Sequence, residues 1–245
     1  MARIRHAQRV LLASVVDLVL PVRCLGCGGS AGPLCARCAR QAEDVRPLTV
    51  RPMDRSGGGE PPVCVAGASY AGAVRAAVLG YKERGHRALA RPLGELLATA
   101  VAEAATVAGD SRLVLVPVPS AAAAIRARRY DHMLRLAKAA AQTLRRAGID
   151  AVAVAALTVR RAPADSVGLT AEQRQANVAG AFGPNRRARL PPGRYAVVLV
   201  DDVVTTGATL SEACRAATAA RLPVLAAAVV AATPRRPTLC EDRPR

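Results

Sequence analysis

Tryptophan is absent from this 245-residue chain, and one phenylalanine and four tyrosines hold aromatics to 2%. Tyr70, Tyr81, Tyr130, Phe182 and Tyr195 are scattered, so no row of stacking platforms for nucleic-acid bases exists. Hydrophobic residues still make up 51%, and the core must be built from Ala, Val and Leu. Lysine is nearly missing as well. Lys82 and Lys138 are the only two, so almost all of the 35 basic residues are arginine, against 18 acidic ones. The net charge of +17 would ordinarily suggest a nucleic-acid partner. An arginine- and alanine-heavy bias of this extent looks like a coding preference, so charge alone is a weak sign of a binding face. Long apolar runs are lacking too. Val10–Val22 spans about thirteen residues and carries Asp17, short of the roughly twenty that cross a bilayer. Arg3, Arg5 and Arg9 precede that run as in a secretion signal, but Pro21-Val22-Arg23 offers no small-residue cleavage site. An amphipathic helix is expected there, with no membrane span and a cytoplasmic location.

Cysteine is concentrated. Residues 24–38 read CLGCGGSAGPLCARC, placing Cys24, Cys27, Cys35 and Cys38 as two C-x-x-C pairs. Each pair holds two thiolates on a tight turn, and two such turns complete a tetrahedron around zinc. Gly26, Gly28, Gly29 and Gly32 permit the turns. Disulfides are disfavoured in a cytoplasmic chain, and a redox dithiol needs only one pair. With four thiolates no coordination position is left open, so the expected Zn²⁺ is structural. Cys64, Cys214 and Cys240 lack the spacing.

Residues 51–62, RPMDRSGGGEPP, read as a linker. From Gly67 to about Val107 the pattern is helical, interrupted by YKERGH at 81–86. RLVLVPVPS at 112–120 reads as a strand ending in a proline-bracketed loop. A long helical stretch follows to Gly148, with a break near Arg129-Tyr130-Asp131. IDAVAVAALTV, RYAVVLV and PVLAAAVVAA read as further strands, with a helix over TLSEACRAATAA. Strands alternating with helices predict a parallel sheet covered on both faces.

VVLVDDVVTTGATL at 197–210 raises a chemical question, because acids repel the phosphates that a glycine and hydroxyl loop attracts. In a parallel sheet, ligands lie beyond the carboxyl ends of the strands. Asp201 and Asp202 stand at such an end, and Thr205, Thr206, Gly207, Ala208 and Thr209 lead into a helix expected near Leu210. The helix start offers amide N–H groups and a positive dipole end to one phosphate. The acids accept hydrogen bonds from a sugar diol. The pattern therefore points to a ribose 5-phosphate. A P-loop needs a Gly-Lys pair that the chain does not contain, and no G-x-G-x-x-G follows a strand.

Residues 197–209 resemble the phosphoribosyl-pyrophosphate signature of type I phosphoribosyltransferases. The wider chain resembles the competence-protein ComF (GntX-like) family, through CLGC…CARC, YKERG, VPVPS, RRYDH and LTAEQRQANVAGAF. The resemblance implies a type I phosphoribosyltransferase-like α/β fold with a small N-terminal zinc module. Its expected parts are 1–50 (helix and zinc module), 51–65 (linker), 66–110 (a helical hood-like segment), 111–234 (the core) and 235–245 (a tail). It also implies transfer between phosphoribosyl pyrophosphate, carried with Mg²⁺, and a base, with a link to DNA uptake. Asp201 and Asp202 would hold the ribose hydroxyls and Thr205 through Thr209 the 5-phosphate. Pro119, Ser120 and Arg128 would face the pyrophosphate, with Arg126 and Arg129 as further cations. Lys82, kept as lysine in an arginine-rich chain, suggests a compact ammonium at the site. Residues 160–178 fit a closing loop in which Arg174 and Asn177 match polar family positions. The chain departs from the family where Arg128-Arg129-Tyr130-Asp131-His132 replaces Arg-Gly-Phe-Asn-Gln, and where Asp165 replaces a common Gln. His132 reads as a packed or surface histidine. A non-catalytic ligand-sensing or single-stranded-DNA-handling adaptor within the uptake machinery is the second reading, and a nucleobase salvage enzyme the third.

Overall fold

A computed structural model describes residues 23–30, 32–43, 48–50, 62–106, 108, 111–163 and 170–233. The expected leader helix, residues 51–61 of the linker, Asp165, Cys240 and the expected tail lie outside the described residues.

Five strands run parallel: β2 (Cys64–Ser69), β3 (Arg112–Pro117), β4 (Ala151–Ala153), β7 (Tyr195–Val204) and β8 (Val224–Ala232). With β1 (Leu48–Val50), which pairs antiparallel to β2, they form one sheet in the order β1-β2-β8-β7-β3-β4. A separate ribbon pairs β5 (Leu157–Val159) with β6 (Phe182–Pro184). The helix α1 (Ala36–Glu43) precedes β1; one face of the sheet packs α2 (Gly72–Lys82), α3 (Ala90–Ala104) and α5 (His132–Arg146) over Leu115, Val198 and Val200. The other packs α7 (Ala208–Ala219) and the ribbon over Val114, Val197 and Leu199. Both cores are Ala, Val and Leu with single large fillers such as Phe182 and Tyr81. No helix among the described residues is long and apolar enough to cross a membrane.

The helix expected from Gly67 starts at Gly72, and Cys64–Ser69 before it is a strand. A short apolar run carries no period that separates a buried strand from a helix. Burial on both faces of β2 decides the matter, and Gly67 shows how tightly. A Cβ there would collide with the Leu96 carbonyl oxygen of α3 and approach Val230 O at 3.3 Å. Backbone atoms cannot rotate aside. Gly67→Ala should therefore destabilise the protein by about 2–3 kcal/mol, lowering Tm by roughly 5–10 °C. A thermal scan of the variant checks this. Similarly, Gly94 lets α3 approach α5, a Cβ there lying 2.6 Å from Ala139 Cβ.

The break expected near residue 130 is present. The helix α4 (Ala122–Arg128) ends at Arg129 in the left-handed region, φ 61°. Asp131 then caps α5, its Oδ1 accepting the Leu134 N–H at 3.1 Å. On α5, Met133, Leu136, Ala137, Ala140, Ala141 and Leu144 form one buried stripe. IDAVAVAALTV, expected as one strand region, divides into β4 and β5, which belong to different sheets.

Candidate functional site

A cavity of about 490 Å³ opens at the carboxyl ends of β3 and β7. Lys82 at the end of α2, Ser120 after β3, Arg128, His132 at the start of α5, Asp202 and Thr205 all border it. So do Pro119, Asp201 and Thr209. Thr206, Gly207 and Ala208 continue the loop between Thr205 and Thr209. The helix α7 begins at Ala208 with Gly207 as its cap at φ 88°, a left-handed position that favours glycine. Thr206 Oγ1 accepts the Ala208 N–H at a long 3.5 Å. The other first-turn amides have no intrahelical acceptor, as at any helix start.

Asp202 is the centre of the charge network. Its Oδ2 lies 2.7 Å from Lys82 Nζ and 3.7 Å from His132 Nε2, yet completes no hydrogen bond of good geometry. Oδ1 accepts the Val203 N–H at 2.8 Å. Burial would raise this carboxyl, but the His132 contact and the Lys82 charge outweigh it and hold the group well below the usual carboxylate range. For Lys82, burial alone would lower the ammonium, and Asp202 and Asp201 more than reverse that, so its pKa rises. Asp202 is therefore anionic and Lys82 cationic.

His132 is 5% exposed, and its Nδ1 lies 3.3 Å from both Arg128 Nη1 and Ser120 Oγ. A guanidinium only donates, so Nδ1 must accept, and a neutral ring then turns an Nε2–H toward Asp202. Tyr81 Oη donates to the His132 carbonyl at 2.9 Å, and Tyr130 Oη to the Tyr81 carbonyl at 3.1 Å. These bonds lock the end of α2 to the start of α5. The sequence reading missed this arrangement. The one available signal was a histidine directly after a helix-capping aspartate, in a chain with three histidines.

Asp201 behaves differently from its neighbour. Side chains alternate along a strand, so it shares the face of Val197 and Leu199, while Asp202 shares that of Val198 and Val200. Its Oδ1 accepts the Asp202 N–H at 2.8 Å. Burial, then the nearby Asp202 charge, pushes its carboxyl up to about 8. The folded state thus keeps a proton that the unfolded chain releases near pH 4. Stability should fall as pH rises between about 4 and 8. Asp201→Asn removes this dependence, so the Tm of the variant should gain on that of the parent from pH 5 to pH 8. A constant difference across that range would contradict the assignment.

Of the predicted residues, Arg126, Arg129, Arg174 and Asn177 do not border the cavity, and of the 205–209 loop only Thr205 and Thr209 line it. Arg126 and Arg129 are exposed. Arg174 lies on α6 (Ala171–Val178), which packs on α7, and its Nε is buried with no hydrogen-bond partner among the described residues. A capping box between Thr170 and Gln173 starts that helix.

The four predicted metal ligands do converge. The sulfurs of Cys24, Cys27, Cys35 and Cys38 lie within 4.8 Å of one another, with Cys27 and Cys35 at 3.7 Å. A Zn–S bond of about 2.3 Å gives a tetrahedron edge of about 3.8 Å, so the cluster can hold a metal such as zinc. Gly26 leaves space for it, since a Cβ there would sit 2.8 Å from Cys38 Sγ. Burial and the neighbouring thiol groups push the Cys38 thiol up to about 12. Cys24, despite burial, is drawn down to about 6 by backbone N–H groups, with Cys35 N–H 3.3 Å from its sulfur. The module is docked on the sheet domain: Leu25 lies on Gly80, where one added methyl would collide, and Gly26 faces Ala73, both on α2. Cys64 is fully buried and Cys214 half-buried.

Searched against protein-family models and against curated proteins, the chain matches none.

Proposed function

We propose that the cavity binds a phosphorylated pentose, phosphoribosyl pyrophosphate carried with Mg²⁺, and that the protein is a phosphoribosyltransferase. The observation that supports this most is the meeting of Asp202, buried and anionic, with the glycine-capped start of α7 across one opening. The loop at 205–209 takes the 5-phosphate through first-turn amides and threonine hydroxyls. Asp202 takes the ribose hydroxyls, its carboxylate bordering the cavity and its Oδ2 being held by the Lys82 ion pair rather than by a hydrogen bond of good geometry. Asp201 borders the same cavity, but strand alternation turns its side chain toward the face of Val197 and Leu199 and burial raises its carboxyl, so it supports Asp202 through the Asp202 N–H while Asp202 carries the charge.

Lys82 and Arg128 supply positive charge on the side where the pyrophosphate would lie, stabilising charge that develops as it departs. Bound Mg²⁺ would neutralise the pyrophosphate further. His132 Nε2 lies 3.7 Å from Asp202 Oδ2 and, anchored by Ser120 and Arg128 at Nδ1, packs beside Asp202 and helps to position it. A link to DNA uptake rests on the family likeness of the sequence alone.

Incubation with phosphoribosyl pyrophosphate, Mg²⁺ and a panel of bases tests the reading. Pyrophosphate release that requires one base identifies the transferase and its acceptor. Tight calorimetric binding with no release makes the protein a ligand-sensing adaptor instead. Absence of binding removes the pentose reading altogether.

A further inference from the structure

Among the described residues the Arg128 guanidinium makes one side-chain contact of hydrogen-bond length, Nη1 to His132 Nδ1 at 3.3 Å, and no ion pair with a carboxylate. The local fold builds this contact. Arg128 ends α4, and the left-handed Arg129 turns the chain so that His132 opens α5. Tyr81 Oη donates to the His132 carbonyl at 2.9 Å, which fixes the backbone beneath the imidazole, and the two rings lie 6.3 Å apart. The ring is buried while Arg128 is only half-buried, so the histidine is the fixed partner and the arginine the adjustable one. A guanidinium has donors and no acceptor, so the contact exists only while Nδ1 keeps its lone pair. Ser120 Oγ shares that lone pair, also at 3.3 Å. Lys82 borders the same cavity, close enough for its charge and that of Arg128 to oppose each other. Without an acceptor, a long side chain repelled by a neighbouring cation gains rotamer freedom by swinging into water.

We infer that His132 is the positioning residue for Arg128, its Nδ1 lone pair holding the guanidinium at the cavity, where it meets a pyrophosphate group. The inference takes its ligand from the phosphoribosyl reading and deepens it with a division of labour between the two ring nitrogens. Nε2 lies toward Asp202, the sugar side, and Nδ1 toward Arg128, the pyrophosphate side. One buried ring thus spaces the carboxylate from the guanidinium. Lys82 needs no such intermediary, because Asp202 holds it directly at 2.7 Å. Ordering Arg128 beforehand removes motion that the ligand would otherwise have to freeze on binding, and it aims the planar donor fork that suits phosphate oxygens.

Amide side chains separate the two nitrogens. In His132→Asn the amide oxygen takes the place of Nδ1, whereas in His132→Gln the amide reaches the Nε2 position and the Nδ1 acceptor is lost. Calorimetric titration of the full chain with inorganic pyrophosphate and Mg²⁺, a probe without a pentose, reads the result. Arg128→Met should weaken pyrophosphate binding at least about tenfold. His132→Gln should weaken it about fivefold, and His132→Asn should rescue the affinity to within about twofold of the parent. Adding His132→Gln to Arg128→Met should cost no further affinity, because the histidine acts through the arginine. Equal losses in the Asn and Gln variants would mark a merely structural role and overturn the inference, as would additive losses in the double variant. Nitrogen NMR of the parent tests it with His132 unchanged: an unprotonated Nδ1 whose resonance moves in Arg128→Met is expected, and a protonated Nδ1 would overturn it. A parent that binds ribose 5-phosphate but not pyrophosphate overturns this inference alone. A parent that binds pyrophosphate with these variant effects but no sugar phosphate overturns the phosphoribosyl reading alone.

Discussion

Asp202→Asn should weaken phosphoribosyl pyrophosphate binding roughly ten- to a hundredfold and reduce turnover further. The shape of the side chain is kept and only its charge is lost. Hydrogen bonds from sugar hydroxyls to a charged acceptor are worth about 1.5–3 kcal/mol, and about 1.4 kcal/mol is a factor of ten. The variant should fold, because Lys82 keeps 40% of its side-chain surface in water and can solvate its ammonium when its partner is removed. Calorimetric titration of parent and variant measures the change. Lys82→Met provides the contrast. It leaves the carboxylate in place and removes the cation, so ribose 5-phosphate, which has no pyrophosphate arm, should lose less affinity than phosphoribosyl pyrophosphate does. Equal affinity of parent and Asp202→Asn would exclude Asp202 from ligand contact.

The protein should carry one zinc per chain, and Cys38→Ser should abolish it, as elemental analysis under native conditions will read. Metal present at about a thousandfold above its Kd stabilises the folded state by roughly 4 kcal/mol. For a chain of this size that is about 10 °C in Tm, a loss that a strong chelator should reproduce in a thermal scan. The effect should extend to the cavity. Leu25 of the cysteine module rests on Gly80, and Lys82 follows two residues later on the same helix. Loosening the module releases the end of α2, so the metal-free protein should bind phosphoribosyl pyrophosphate severalfold more weakly. A metal-free protein that melts and binds unchanged would make the cluster an ornament on the fold.

Several features were legible in the sequence because they are local. Two cysteine pairs on tight turns carry their own chemistry, and the sulfurs converge as the spacing requires. Arg129 through Asp131 interrupts two helices by a left-handed residue and a cap, both short-range effects. The loop at 205–209 opens a helix because glycine permits the turn and the periodic residues follow at once. β2 was misread because Val65, Ala66 and Gly67 show no period, and only burial between α3 and the other sheet face makes them a strand. Arg174 was placed by its position in a motif, yet α6 carries it away from the cavity.

Composition and short-range pattern by themselves determined an α/β chain with an Ala-, Val- and Leu-built core, a four-thiolate cluster and a hydroxyl loop after an acidic strand end. The tertiary structure alone decided that Lys82 meets Asp202, that His132 stands between Asp202 and Ser120, and that Asp201 turns to the opposite face. The reason is physical. Capping, turn formation and metal-ligand spacing act within one or two turns of chain, whereas these contacts join segments far apart in sequence. They depend on which strands lie side by side and which way each helix faces, and those follow from how the whole apolar surface is buried.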